Sequence, residues 1–376
     1  MVSRPIWHER IAAAHRQAPI AWLTGVRRIG KTTLVREFPG LYLDCDLPSV
    51  AERVHDPERF LASLDTKYLL LDEVHQLADP SRLLKIAADN HPKLRVIATG
   101  SSTLAATTKF RDSLTGRKRT VHLLPVLAEE LASFGVRDLD RRLLHGGLPP
   151  ALLAEAPPSD FYSEWMDSFY ARDVQELFRV EKRTGFLQML ETLLRQSGGL
   201  LEVTSIARAT SLSRPTVMNY LEVLQVTHAI TLLRPFHGGG KQELTHQPKA
   251  YGFDTGFVAW AHGWNELHAE DRGNLWEHVV LETLMSLPGD RRIHYWRDKQ
   301  QREVDFVIPT GRGACDAYEC KWNARAFDPR GLKALRASHP RGRNFLVAPI
   351  AGEPQKREIG GMNVTVMHPA QMRAAL

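Results

Sequence analysis

The chain has 376 residues, more than one compact core accommodates, and suits two or three domains. Apolar residues make up 43% and charged residues 24%, the balance of an ordinary globular protein. The net charge of +6 is compatible with a polyanionic partner but does not require one. No stretch approaches ~18 consecutive apolar residues, so a membrane-spanning helix is not expected. Met1–Pro5 leads into a mixed amphipathic stretch without the apolar segment of a secretory leader, and a cytoplasmic location follows. Cys45, Cys315 and Cys320 form no C-x-x-C pair, which argues against a disulfide framework or a zinc site.

The first element is an apolar run, Ala21–Thr24, that closes on Gly25-Val26-Arg27-Arg28-Ile29-Gly30-Lys31-Thr32-Thr33 and continues into a helical stretch. Strand, glycine loop and helix in that order are the context of a phosphate-binding P-loop. Gly25 and Gly30 let the backbone bend so that successive amides face the phosphates, where a helix N-terminus adds positive potential. Lys31 supplies an ammonium for the β- and γ-phosphates, and the Thr32 hydroxyl a ligand for Mg²⁺. Lys67–Leu71 then reads as a buried strand ending in Asp72 and Glu73. Asp72 suits the water shell of the metal, and Glu73 suits orienting and deprotonating a water. A third apolar run, Leu94–Thr99, ends in small polar residues. Ser101 is there either a γ-phosphate sensor or a helix cap. In the basic stretch Lys109–Arg119, Arg117 is favoured over Arg111 as an arginine reaching a phosphate across a subunit interface; a solvated face is the alternative.

Gly25–Thr33, Leu69–Glu73, Thr99–Ser102, Leu123–Val126 and His145–Pro149 together resemble the AAA-type ATPase domain of a prokaryotic family. In that family the ATPase is joined to a C-terminal domain of unknown function. Later landmarks of the resemblance are Tyr170–Val174, Ala250–Gly256 and Gly273–Glu277. It implies an α/β chain with a parallel-sheet AAA-type domain at 1–155, ATP and Mg²⁺ as cofactors, and a homo-oligomer.

Between 156 and 250 the pattern changes. Val203–Ala209 reads as a short helix, Thr210–Ser213 as a turn and Arg214–Leu224 as a second helix, with Ser213 as its cap and Pro215 in its first turn. This is helix-turn-helix spacing. Ala229–Leu233 and the Gly238–Lys241 tip complete the resemblance to a winged helix. Arg208, Arg214, Thr216, Asn219 and Lys241 are the residues suited to phosphates or base edges. Packing against protein is the other use of such a module.

From 251 onward, a helix carrying Glu277 precedes strands at Ile293–Arg297, Glu303–Ile308 and Ala317–Lys321. Alternation places Glu319 and Lys321 on one face. Glu277, Asp305, Glu319 and Lys321 resemble the PD-(D/E)XK nuclease arrangement, and a restriction-endonuclease-like α/β domain is the fold implied. Cys320 departs from it by standing where a bulky aliphatic is usual. In such a site Asp305 and Glu319 share a second divalent metal, Glu277 completes the shell, and Lys321 steadies the attacking water or the developing charge. A retained fold without cleavage is the alternative. The whole reads as a Mg-dependent ATPase acting on DNA in remodelling or repair. The rival reading is an ATP-controlled switch that binds DNA or protein and carries an inert C-terminal domain.

Overall fold

The computed structural model describes every residue except 1, 101–107, 176, 177, 179, 181, 238–246, 290 and 376, and the backbone alone of 108, 109 and 111. The chain divides into two compact units, neither continuous in sequence. The first is Met1–Leu124 with Asp167–Glu181 and Val226–Ala229; the second is Pro125–Met166 with Lys182–Gln225 and Ile230–Leu376.

The first unit is built on a parallel sheet of β1 (Ile20–Thr24), β2 (Leu41–Asp44), β3 (Tyr68–Asp72), β4 (Arg95–Thr99) and β5 (Lys118–His122), in the order β2-β3-β4-β1-β5. All five residues of β1 are buried, the near-continuous apolar signature of a strand covered on both faces. α1 (Pro5–Gln17) leads into β1, and parallel neighbours need crossovers, which α2 (Lys31–Val35), α3 (Pro48–Arg53), α4 (Pro57–Ala62) and α5 (Pro80–Asn90) supply between β1 and β4. Sequence starts α4 and α5 in the same way: an aspartate cap followed by proline in the first turn. Asp56 accepts from Arg59 N at 3.2 Å, and Asp79 from Arg82 N at 3.1 Å. Trp22, Leu69, Leu71, Val96 and Phe110 fill the core on one face, with Trp22 edge-on to Phe110 at 4.9 Å.

In the second unit, α6 (Leu139–His145) and α7 (Arg183–Arg195) precede α8 (Val203–Thr210) and α9 (Arg214–Val226). Ser211, at φ +54°, turns the chain between α8 and α9. The Ser213 hydroxyl then accepts from Thr216 N at 3.3 Å. An antiparallel pair follows, β6 (Ile230–Leu233) with β7 (Lys249–Gly252); the Gly238–Lys241 tip lies outside the described residues. After α10 (Thr255–His262) and α11 (Ala269–Ser286) comes a mixed sheet. Its strands are β8 (His294–Arg297), β9 (Glu303–Gly311), β10 (Ala314–Cys320), β11 (Asn344–Val347), β12 (Gln355–Ile359) and β13 (Met362–Met367), in the order β12-β13-β11-β10-β9-β8. Strand β10 is buried along nearly its whole length. Trp276 of α11 donates to Val347 O at 2.9 Å, and Leu332 and Leu335 of α12 (Arg330–Ser338) belong to the apolar core around β9 and β10. All three cysteines are buried free thiols.

A charged network lies at the centre of this unit. Arg142, 0% exposed, donates to Val126 O at 2.8 Å and to the Thr255 hydroxyl at 2.9 Å, and pairs with Glu282. Asp254 accepts from Gly147 N at 2.6 Å, and a Cβ on Gly146 would overlap the Asp254 carboxylate. Glycine at 146 is therefore required by this close approach.

Candidate functional site

Strand β1 ends in the glycine loop. Gly25 has φ +145° and Gly30 φ +99°, backbone regions that L side chains rarely adopt. A Cβ on Gly25 would sit 2.6 Å from Leu123 O. Val26 and Ile29 are buried and anchor the loop, while Arg28 and Thr33 are exposed and Thr32 is half-buried. Lys31 Nζ donates to Gly25 O at 2.8 Å and to Val26 O at 3.1 Å, curling the ammonium over its own loop. Burial pushes Lys31 below its ordinary pKa, opposed by Glu73, Asp173 and Asp72. A desolvated ammonium in a glycine cradle is matched by a polyphosphate, so the residues fit the nucleotide.

The acidic side is built by adjacency in the sheet. Asp72, 3% exposed at the end of β3, accepts from the Thr99 hydroxyl at 2.5 Å and the Tyr42 hydroxyl at 2.9 Å. Thr99, at the end of β4, also accepts from Glu73 N at 2.9 Å. Glu73 is left-handed at φ +53°, a strained state for a non-glycine residue of the kind that collects at functional sites. Its carboxylate lies 3.3 Å from His75 Nδ1. Burial raises the Glu73 pKa, and the Lys31 ammonium opposes the rise. Parallel strands thus bring Lys31, Asp72 and Glu73 together beyond their carboxyl ends. Thr32 and Asp72 are the side chains suited to Mg²⁺. Ser101 lies outside the described residues.

Arg117 lies apart from the nucleotide loop of its own chain. It sits at the amino end of β5, where its carbonyl accepts from Ile20 N at 3.2 Å, away from the strand ends that carry the acids. Its guanidinium is held by both oxygens of Asp89, at 2.5 and 2.9 Å. Reaching a neighbouring subunit's phosphate requires breaking that pair.

In the second unit Glu277 of α11, Asp305 of β9, Glu319 of β10 and Lys321 interact electrostatically as one group. Glu277 accepts from the Tyr251 hydroxyl at 3.0 Å. Asp305 accepts from Cys320 N at 2.7 Å. Lys321 Nζ stands 3.6 Å from Asp305 and 3.5 Å from Glu319, one ammonium shared by two carboxyl groups. Burial and the neighbouring Asp305 push Glu277 up to about 7 and Glu319 well above the usual carboxylate range. Burial alone would lower Lys321, but Asp305 and Glu319 outweigh it and raise its pKa. Among the described residues no three acid, histidine or cysteine side chains gather as a metal shell. The Glu277 carboxylate is held by a tyrosine and the other two by a lysine.

Of the residues assigned to nucleic acid, Arg208, Arg214 and Asn219 are exposed on α8 and α9. The Thr216 hydroxyl is bonded to Ser213 Oγ at 2.7 Å within the cap, and Lys241 lies outside the described residues.

Comparison with known proteins is consistent with this geometry. Residues 17–132 match the family model of an AAA domain. The N-terminal part of the chain is an AAA-type P-loop ATPase domain. Residues 136–268 and 272–365 match two domains of unknown function, DUF8612 and DUF4143. The uncharacterized proteins Rv2008c of Mycobacterium tuberculosis and Mb2031c of Mycobacterium bovis are each 29% identical over 344 residues, 88% of this chain and 75% of theirs. Among solved structures, the Walker-type ATPase of Pyrococcus abyssi is 15% identical with a TM-score of 0.45, over 70% of this chain and 96% of that one. The replication initiator DnaA bound to AMPPCP and single-stranded DNA is 17% identical with a TM-score of 0.31, over 59% and 86%. Among the described residues no helix is long and apolar enough to cross a membrane.

Two side chains at the AAA domain's nucleotide loop lie beyond residue 132, and sequence reasoning missed both. Asp173, in one π-helical turn over Tyr170–Gln175, pairs with Arg27 of the loop at 3.2 Å. Burial raises its pKa against the pull of Arg27 and Lys31. π-Helical turns are frequent at functional sites. His228, left-handed at φ +61°, shares a 3.0 Å hydrogen bond with Thr24 and stacks on His122 with centroids 4.0 Å apart. Burial pushes His228 down to about 4 and His122 well below its ordinary value, so both rings are neutral at neutral pH. The only signal for Asp173 was its place in the landmark Tyr170–Val174; His228 offered none.

Proposed function

We propose that the protein is a Mg-dependent ATP hydrolase that acts on DNA as a homo-oligomer, in remodelling or repair. In this reading the middle of the chain is a winged helix and the C-terminal domain is restriction-endonuclease-like in fold. The convergence of Lys31, Asp72, Glu73 and Thr99 at the strand ends carries the hydrolase part. Lys31 swings from Gly25 O and Val26 O to the β- and γ-phosphates, whose oxygens replace the hydration that burial strips from its ammonium. Thr99 and Tyr42 hold Asp72 in one orientation. Burial leaves Glu73 a stronger base than an exposed carboxylate, suited to take a proton from the attacking water. Mg²⁺, when held by Thr32 and Asp72, neutralises charge between the phosphates.

What supports a DNA role is one chain carrying this site, a helix pair with exposed Arg208, Arg214 and Asn219, and the ordered Glu277, Asp305, Glu319 and Lys321. Glu73→Gln is expected to bind ATP and lose turnover; undiminished turnover would remove Glu73 from the mechanism. ATP turnover is expected to rise with DNA, and a flat response to single-stranded, duplex and branched DNA refutes that role.

The second reading, a nucleotide-controlled switch with an inert C-terminal domain, is favoured by the Tyr251 and Lys321 hydrogen bonds and ion pairs that already engage Glu277, Asp305 and Glu319. Absence of nicking with Mg²⁺ or Mn²⁺, together with Asp305→Ala and Lys321→Ala variants whose DNA-dependent activities are unchanged, selects it over the nuclease reading.

A further inference from the structure

A cleft of about 1340 Å³ opens within the second unit. Arg214, Met218, Leu221 and Gln225 of α9 line it, at spacings that put them on one helix face, with Asn219 at its margin. Arg234 and Phe236 beyond β6, with Arg292 and His294 at β8, complete the part of the lining that matters here. The volume exceeds the ~300–1,000 Å³ of small-molecule pockets, which points to a polymer segment. Reading duplex DNA with α9 requires the helix to enter a groove ~12 Å wide and ~8.5 Å deep. That face of α9 instead shares a cleft with the chain around β6 and β8, so it is not a free ridge.

The chemistry of the lining selects the polymer. Arg214, Arg234 and Arg292 are all exposed and face two acids, Glu202 and Glu222, leaving the cleft positive. Phe236 lies edge-on to His294 at 6.0 Å and to His339 at 5.1 Å. His294 Nδ1 donates to Arg234 O at 3.2 Å, fixing the backbone that carries one guanidinium beside the aromatic group. Guanidiniums beside aromatic faces are the means by which proteins hold single strands, charge for phosphates and rings for bases. Met218, 55% exposed, adds apolar surface on the helix side.

We propose that this cleft holds a single strand of DNA, with phosphates on Arg214, Arg234 and Arg292 and a base against Phe236 and His294. It rests on the DNA-acting reading and names the form of DNA. The test is anisotropy of the full chain with labelled dT20 and with a duplex of equal length, across a salt series. The single strand is expected to bind at least tenfold more tightly. Arg234→Glu with Arg292→Glu should weaken it by about tenfold or more. The same pair should flatten the log–log salt slope by about 0.7 per arginine, with nucleotide binding unchanged. A duplex preference lost in Arg208→Glu and insensitive to Arg234 and Arg292 overturns the cleft and leaves the DNA role standing. No binding to either DNA overturns both.

Discussion

Replacing each loop glycine by alanine separates steric clash from backbone strain. Both positions are left-handed, so a Cβ costs about 1–2 kcal/mol at either one. At Gly30 an added Cβ meets nothing within 4 Å, and strain is the whole effect. At Gly25 it meets Leu123 O at 2.6 Å and Ile29 Cγ2 at 3.4 Å. That carbonyl belongs to a residue whose own amide is tied to Thr24 O at 2.8 Å, so it has little room to yield. Overpacking adds about 1–3 kcal/mol, and Gly25→Ala should cost about 2–5 kcal/mol against about 1–2 for Gly30→Ala. Urea unfolding followed by tryptophan fluorescence reads the difference, and titration with a fluorescent ATP analogue reports whether the surviving loop still binds. Equal losses in the two variants would show that the Leu123 carbonyl does not confine the loop.

Other consequences are equally direct. Asp173→Asn removes a negative charge beside Lys31 and frees Arg27 for phosphate, so ATP should bind about two- to fivefold more tightly; weaker binding contradicts the pairing. Arg142→Met strands Glu282 in the core and should destabilise by about 3–5 kcal/mol, largely recovered in Arg142→Met with Glu282→Leu; no recovery would mean the arginine acts through its other partners. His278 donates from Nδ1 to Asn274 O at 3.0 Å and accepts at Nε2 from the Ser197 hydroxyl at 2.6 Å, and burial lowers its pKa to about 4. Between about 6.5 and 4 the unfolded chain binds the extra proton, so the contribution of His278 to stability is full above pH 6.5 and falls by about 3 kcal/mol as pH drops through that window, alongside those of the other buried histidines. His278→Gln should flatten that part of the pH–stability curve, and an unchanged slope refutes the assignment.

What could be read from the sequence was what is local in it. The loop Gly25–Thr33 and the strand closing on Asp72-Glu73 carry their chemistry within a few residues, and β1 and β3 end on them. The sequence could not show which strands would be neighbours. Placing β4 between β1 and β3 makes Thr99 a hydroxyl that ties Asp72 to the Glu73 backbone. Asp173 and His228 reach the loop across 146 and 204 residues, distances at which no spacing pattern carries information. The pairing of Arg117 was hidden because its partner, Asp89, lies 28 residues upstream on another element. In the C-terminal domain the order of acids was legible, but their occupancy was not. Tyr251 and Lys321 already engage two of those acids, which a pattern of charged letters does not show.

The scattered make-up of the first unit bears on any effort to produce the motor alone. A fragment ending near residue 132 would keep every letter of the nucleotide signature and lose the counter-ion of Arg27 and the ring stacked on His122. Subcloning by motif would thus deliver an enzyme with its phosphate cradle unbuttressed, and low activity in such a truncation would describe the cut and not the catalyst.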